Sequence, residues 1–412
     1  MILLSLASRN IWRNPRRTIL SVAAIAFAVM VLEFFFSLQL KSYDAAISAS
    51  TGVFHGHIQI QREGYLENSE LRNYIPDSDL VLDAIAKIPG VLASSKRSLG
   101  FGLLSSADRS FGAQIIGVLP DRELGVSSIP GVIKSGRYLN SEDTYNCVIG
   151  RTLAENLKVG LDHDLSLMSQ SVDGGIVATS FKVVGIFESG SIDIDRAFIE
   201  IPNSVFEVEF GMHSGAHNIV IRARSIDDVL DLEAQIHKQL LQNKVGTNLT
   251  IVNWKKLLPG LQESIQLDMA AGWLFYCSLI VIVSFTILNT FLMSVLERTR
   301  EFSTVLALGA SPSFLAILIA LEGILLSIIG IIIGNILGAL LVEYFRNVGF
   351  TAPGAEEVLK KWNLPGRVYP VITFQSFIWP TITVGLSSII SVVYPMMRVF
   401  KIQPVKGLAG EV

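Results

Sequence analysis

Four runs of apolar residues, each long enough to cross a lipid bilayer as a helix, constrain this chain more than any other feature. A hydrocarbon core about 30 Å thick takes roughly 20 mostly apolar residues at helical rise. Residues 18–40, 270–296, 314–342 and 371–400 reach that length and are expected to be transmembrane helices. A mean hydropathy of +0.49 over 412 residues follows from these runs, because the stretch between the first and the second has an ordinary mixed composition. The first run exceeds the roughly 7–15 apolar residues of a signal peptide and has no clear small-residue cleavage site behind it, so it reads as a retained anchor.

Basic residues near the span ends set the expected orientation, with long loops left out because they cross largely regardless of charge. Arg9, Arg13, Arg16, Arg17, Arg298, Arg300, Arg398, Lys401 and Lys406 fall on one side. Arg346, Lys360, Lys361 and Arg367 fall on the other. Both termini are therefore expected in the cytoplasm of a multi-pass inner-membrane protein, with residues 41–269 and 343–370 outside and 401–412 as a cytoplasmic tail. Residues 1–17 space Leu3, Leu4, Ala7 and Ile11 for one helical face with arginines mainly elsewhere. That pattern suits an interfacial helix, or equally a basic flank that only fixes orientation. A net charge of −3 gives no electrostatic reason to expect a nucleic-acid partner. Cys147 and Cys277 are too few and too differently placed for a disulfide framework and read as unpaired thiols.

Residues 41–269 are long enough for one large domain or two small ones, and their texture is mixed α/β. From 53 to 61 the chain alternates, with His55, His57, Gln59 and Gln61 on one face and Ile58 and Ile60 on the other, as a half-buried strand does. Residues 79–87 read as a short helix closed by Pro89 and Gly90, and 148–168 as strand, helix, turn and strand. Further strands are expected at 181–187 and 216–222, and a helix at 225–241. His55 and His57 alone make a poor metal site, since three or four ligands are usual and His163, His213 and His217 lie far away without a pairing motif. No Gly-x-Ser-x-Gly elbow or His-Glu-x-x-His helix is present. No catalytic residue, metal or cofactor is therefore assigned to the chain itself.

Between the second and third runs, residues 297–313 form a short polar connection too structured for a simple loop. On a helix Phe302, Val305, Leu306 and Leu308 make an apolar side, while Glu297, Arg298, Arg300 and Glu301 crowd its start. Gly309 can end the helix and Pro312 can open the next. Such a stub can plug into a groove on a cytoplasmic partner, apolar anchors giving affinity and charges giving register. It can also be only a tight hairpin joining two spans, and periodicity alone does not choose.

Residues 297–342, with Glu297-Arg298-Thr299-Arg300-Glu301-Phe302, Ala307-Leu308-Gly309-Ala310-Ser311 and Leu321-Glu322-Gly323, closely resemble the FtsX-like, MacB-type permeases of ABC transporters. That family includes lipoprotein-releasing and macrolide-efflux permeases. The opening Ser8-Arg9-Asn10-Ile11-Trp12-Arg13-Asn14-Pro15 resembles its entry into the first span. Val148-Ile149-Gly150-Arg151, Phe181-Lys182-Val183-Val184-Gly185-Ile186-Phe187 and the stretch from Trp254 to Pro259 resemble its extracytoplasmic pattern. The resemblance implies four transmembrane helices with a large mixed α/β extracytoplasmic domain inserted between the first and second. It also implies a dimer with a second permease copy or paralogue, bound to two ATPase subunits at a coupling helix over 297–313. A lipoprotein or an outer-membrane or periplasmic protein is a further expected partner, alongside membrane lipids. Movement of the outside domain would then release or export a lipoprotein, lipid or peptide. A non-transporting transducer that activates a cell-wall hydrolase is the alternative within the same family. The chain contains no Gly-Lys dipeptide, hence no P-loop lysine, so ATP and magnesium are expected on a separate polypeptide.

Glu33 and Glu322 fall inside spans, where ionisable groups are costly and mark candidate functional positions. Glu33 is expected either to face a dimer cleft or to lie near the outer interface and snorkel. Glu322 is expected to pair with polar groups of neighbouring helices, with Asn289 and Arg298 in reach. Gly323, Gly330, Gly334 and Gly338 lie on one face of the third span, a spacing that permits close helix packing. Pro380 and Pro395 are expected to kink or end parts of the last span.

Overall fold

The computed structural model of the chain describes residues 2–107, 109–243, 248–351, 354 and 366–402. Most of the expected outside loop at 343–370 and of the tail at 401–412, including Lys360, Lys361 and Lys406, lies outside the described residues. The described chain divides into two compact units, one of Asp44–Glu263 with residues 354 and 366, and one that joins residues 2–43 and Ser264–Thr351 to residues 367–402.

The second of these units is helical. Pro15–Ser50, Pro259–Glu297, Pro312–Val348 and Phe374–Val399 are its four long apolar helices, of 36, 39, 37 and 26 residues. Three of them begin on proline, whose missing N–H is an orphan at that position anyway and whose fixed φ suits a first turn. Ser311 caps the third, accepting a hydrogen bond from Phe314 N at 3.2 Å, and a reciprocal Thr373–Ser376 capping box starts the fourth. At about 1.5 Å per residue the second helix runs near 58 Å, well beyond a bilayer core. The first two helices outlast the runs at 18–40 and 270–296 because hydropathy marks the lipid-facing part and not the helix ends. Pro380 and Pro395 both sit inside one continuous last helix, so neither ends it. Ile25, Val29, Ile287, Phe291 and Val384 form the interior, while Phe27, Phe285, Ile336 and Ile390 stay exposed on the surface that lipid would cover.

The glycine face on the third helix is used inside the chain. A Cβ added at Gly330 would lie 2.7 Å from Ile25 Cβ, and one at Gly334 2.7 Å from Val29 Cβ, both on the first helix. Gly323 meets Val392 of the last helix in the same way. Small residues thus let three backbones approach closely, the packing that lipid, which offers no hydrophobic drive between helices, rewards.

The other unit is built on a ten-stranded mixed sheet. Its strands are β1 (Ile58–Arg62), β2 (Val91–Ser105), β3 (Ser110–Val118), β4 (Ile133–Gly136), β5 (Asn146–Gly150), β6 (Asp164–Gln170), β7 (Ile176–Phe187), β8 (Phe198–Pro202), β9 (Asn218–Ala223) and β10 (Leu249–Asn253). The order is β10-β1-β9-β2-β3-β8-β5-β7-β4, with β6 pairing β2 and β7. Only β3–β8 and β5–β7 are parallel among the described pairs. The 15-residue β2 joins the two halves: residues 91–97 pair with β9 and residues 98–105 with β3. Helices Ser78–Ile85, Arg151–Leu157 and Val229–Asn243 stand close to where the alternation and stripes of the sequence place them.

The expected strand over 53–61 is a correction. Thr51–His55 is a π-helical turn and β1 begins only at Ile58, with both of its faces buried. His55 and His57 therefore do not share a strand face. Gln59 and Gln61 are tolerated inside because they bond each other at 2.7 Å, and Gln59 Nε2 donates to His55 O at 2.8 Å. His57 Nδ1 accepts from Ala223 N, and His217 bridges Leu99 N and Leu71 O across buried strand edges. Burial brings His217 down to about 4, so its imidazole is a neutral structural strut.

An ionic cluster that the sequence does not announce lies in this unit. Arg97 and Glu123 are both 0% exposed and paired. The Arg97 guanidinium also donates to Phe54 O and stacks 4.5 Å over the Phe54 ring. Ser127 Oγ donates to Val53 O at 2.7 Å and Ser128 N to Gly52 O at 2.8 Å, so the π turn is held along its length. Glu200, also 0% exposed, accepts from Tyr138 Oη at 2.7 Å. Burial first, and the nearby Glu123 charge second, push its carboxyl up to about 8. A raised acid pKa means the folded unit holds a proton that the unfolded chain, with a glutamate near 4.3, has lost. That stabilisation is complete below the unfolded pKa and fades as pH rises through about 8. Glu200→Gln is expected to abolish this slope, so that the variant's unfolding midpoint gains on the native chain's between pH 5 and 9. Parallel midpoints over that range would show that Glu200 is not the titrating group.

Candidate functional site

The connection between the second and third long helices is a separate helix, Thr299–Ala307, set off by Arg298 at its start and by Gly309, with φ +99°, after its end. Its two sides are not distributed as the periodicity suggests. Phe302 is 2% exposed and packs with Val295, Leu315, Ile319 and Val399, residues near the stub-side ends of three long helices. Val305 and Leu306 are partly buried against the same cluster. The apolar side is therefore what fastens the stub to its own bundle, not a row of free anchors. What stays exposed is a stripe of Arg300, Thr304, Ala307 and Leu308, with Glu297, Glu301 and Gly309 beside it. Leu308 is 83% exposed, an apolar residue at the tip with nothing among the described residues over it.

Charge fixes the start of the stub. Arg298 is 7% exposed; its Nη1 lies 3.1 and 3.2 Å from the two oxygens of Glu322, its Nε 3.3 Å from Glu301, and its guanidinium 4.9 Å over the Phe302 ring. Glu322 is 4% exposed and also accepts from Asn10 Nδ2 at 2.7 Å. Of the two partners expected for Glu322, Arg298 is present; Asn289 is exposed, and Asn10 of the N-terminal helix Ile2–Arg13 takes its place. On that helix Ala7 and Ile11 are buried while Leu4 is 54% exposed, so the expected apolar face is only partly used against the protein. Arg13 Nη2 reaches both Glu301 oxygens, at 2.5 and 2.6 Å, and the guanidinium holds Glu301 below the usual carboxylate range.

Glu33 is far from the stub and unlike it. It is 0% exposed, and neither of its carboxyl oxygens has a hydrogen-bond partner among the described residues. It faces the third helix at Gly338, where any Cβ would collide with the carboxyl. Ser37, one turn on, is equally buried and unpartnered among the described residues. Packed against Gly338 of its own chain, Glu33 presents its carboxyl neither to a dimer cleft nor to solvent by snorkelling, the two placements expected: position along a helix gives depth, whereas the missing side chain at Gly338 sets the direction in which Glu33 packs. Cys147 is buried and Cys277 exposed, and both are free. Among the described residues no cluster of three or more His, Cys, Asp or Glu is placed to hold a metal ion.

Comparison with known proteins agrees with this architecture. Residues 18–239 match the MacB-like periplasmic core domain and residues 273–404 the FtsX-like permease C-terminal domain. The lipoprotein-releasing system transmembrane protein LolC of Neisseria meningitidis is 21% identical over 410 residues, which cover 96% of this chain and 94% of that one. LolC of Xylella fastidiosa is 22% identical over 320 residues, 75% of each chain. The macrolide export ATP-binding/permease protein MacB of Bdellovibrio bacteriovorus is 25% identical over 346 residues, covering 79% of this chain and 48% of its own length. With four long apolar helices, a mixed α/β domain inserted between the first two, and a periplasmic-core match over more than half of its length, the chain belongs to the FtsX-like, MacB-type family of ABC transporter permeases.

Proposed function

We propose that this chain couples ATP hydrolysis on a separate ATPase subunit to movement of its inserted domain, releasing or exporting a lipoprotein, lipid or peptide from a bacterial inner membrane. Both termini and the stub face the cytoplasm in this reading, on the side to which the basic span ends assign them, and a second permease copy or paralogue completes the assembly. ATP and magnesium belong to the ATPase. Similarity to lipoprotein-releasing LolC over almost the whole chain supports the choice of cargo.

The observation that carries the proposal is the stub itself. A short helix whose inner side is bolted to three long helices can move only with them, while its outer stripe, Arg300, Thr304, Ala307 and Leu308, is free for a partner. An exposed leucine beside an arginine suits a groove that takes one apolar anchor and sets register by charge. Truncating a central anchor typically removes about 2 kcal/mol, close to a thirtyfold change in affinity. Arg300→Glu combined with Leu308→Ala is therefore expected to weaken capture of the ATPase by roughly that factor or more, with membrane insertion and thermal stability unchanged. Undiminished capture and undiminished ATP-driven release in this variant would remove the stub as the docking element. Phe302 is unsuited to the test, because its loss would loosen the stub from the bundle.

A further inference from the structure

We infer that Glu322, together with Glu301, is a positioning residue that locks the N-terminal helix Ile2–Arg13 to the stub, so that the two travel as one element when the ATPase moves. The inference rests on the stub being the ATPase-docking element, and it adds a second moving part to it. Neither carboxylate belongs to the free stripe that Arg300 and Leu308 define.

Three contacts make the lock. Glu322 accepts a pair of hydrogen bonds from Arg298 and a single one from Asn10, from within the third long helix, in surroundings where Arg298 and Glu322 side chains are 9% and 5% exposed. Glu301 takes both of its oxygens to Arg13 and one also to Arg298. Finally, Thr18 Oγ1 donates to Ile11 O at 2.6 Å, folding the end of the N-terminal helix back on the start of the first long helix. One carboxylate thus bridges two elements separated by almost three hundred residues of sequence, and the other repeats the bridge at the surface.

The two bridges differ in strength for a physical reason. Arg13 and Glu301 are each 50% exposed, so water and salt screen that pair and it contributes little alone. Arg298 and Glu322 are shielded, so separating them strands a charge without solvent; on the other limb Asn10 donates to the same buried carboxylate at 2.7 Å, and parting them leaves that charge short of a donor. An amphipathic helix only resting on the lipid surface would need no such tie. With the tie, displacement of the stub pulls the N-terminal helix and, through it, the first long helix that leads into the inserted domain.

The test uses the complete permease with its ATPase in lipid, in a Cys277→Ser background that leaves only the buried Cys147. Spin labels at Arg9→Cys and at Ser313→Cys, exposed in the 297–313 connection but outside the docking stripe, report the distance between the N-terminal helix and that connection with and without trapped ATP. One unchanged, narrow distance distribution in both states is expected, and a broadened one when Glu322→Gln is added. That substitution is expected to leave ATPase capture intact while release per ATP hydrolysed falls roughly tenfold, within the usual range of coupling energies; Glu322→Asp, which keeps the charge, restores most of it. A distance that changes between the two nucleotide states in the otherwise native protein overturns the inference even if Glu322→Gln misfolds. Full release per ATP in a folded Glu322→Gln overturns it as well. Failure of the unsubstituted permease to capture an ATPase at the stub is a different result, which defeats the docking proposal instead.

Discussion

Replacing Arg97 by methionine is expected to destabilise the inserted domain by about 3–5 kcal/mol, the usual consequence of removing one partner from a buried ion pair. The size follows from what is left behind. Glu123 is 0% exposed and loses its counter-ion, while Glu200, buried close by, already keeps its proton because the site tolerates so little negative charge. The π turn also loses the donor to Phe54 O and the cation stacked on the Phe54 ring. Arg97→Met with Glu123→Leu removes both charges and is expected to recover much of the loss, since apolar replacements of a buried pair are often neutral or better. Thermal unfolding of the full chain in detergent, with hydrogen exchange at β2 to localise the change, measures both. A midpoint for Arg97→Met that matched the native chain's at pH 8 would mean the cluster is not what holds this region.

Much of the architecture was legible because membrane spans and capped helices are written in short-range patterns. Apolar runs and Pro312, which opens the third long helix, each act within a few residues of themselves. The strand β2 was not legible, since Ser94-Ser95-Lys96-Arg97-Ser98 carries no apolar alternation and becomes buried only through partners far off in sequence. Likewise, alternation from His55 to Gln61 is real, but it cannot report that both faces of β1 are covered. The stub shows a subtler limit. Periodicity grouped Phe302, Val305 and Leu306 with Leu308 and could not say what covers them; the first three face the bundle, whereas Leu308 is exposed beside Arg300. Pairing of Glu322 with Arg298 could be anticipated from their nearness along the connection, whereas Asn10 lies 312 residues from Glu322 and gave no signal.

The largest effect expected in the helical unit comes from adding a side chain where two helices have none between them. Gly334→Leu would place a Cβ 2.7 Å from Val29 Cβ and 2.8 Å from Ala26 O, and the second of these is backbone that cannot rotate away. Only separation of the first and third helices relieves the clash. Overpacking a fitted interior costs about 1–3 kcal/mol for side chains that can shift, and at a backbone contact the upper end or more is expected. Gly385→Ala is the matched control, because its Cβ would meet only Ile331 Cδ1 at a comfortable 3.7 Å, and no measurable change is expected there. The wedge at Gly334 has a second consequence one turn further along. Gly338 covers the Glu33 carboxyl, whose oxygens have no other partner among the described residues. Parting the helices uncovers that group, so a hydrophobic carbodiimide should label Glu33 in Gly334→Leu and spare it in the native chain and in Gly385→Ala. Equal labelling of all three would show that Glu33 is reachable without any opening, and that the close approach of the two helices does not seal it.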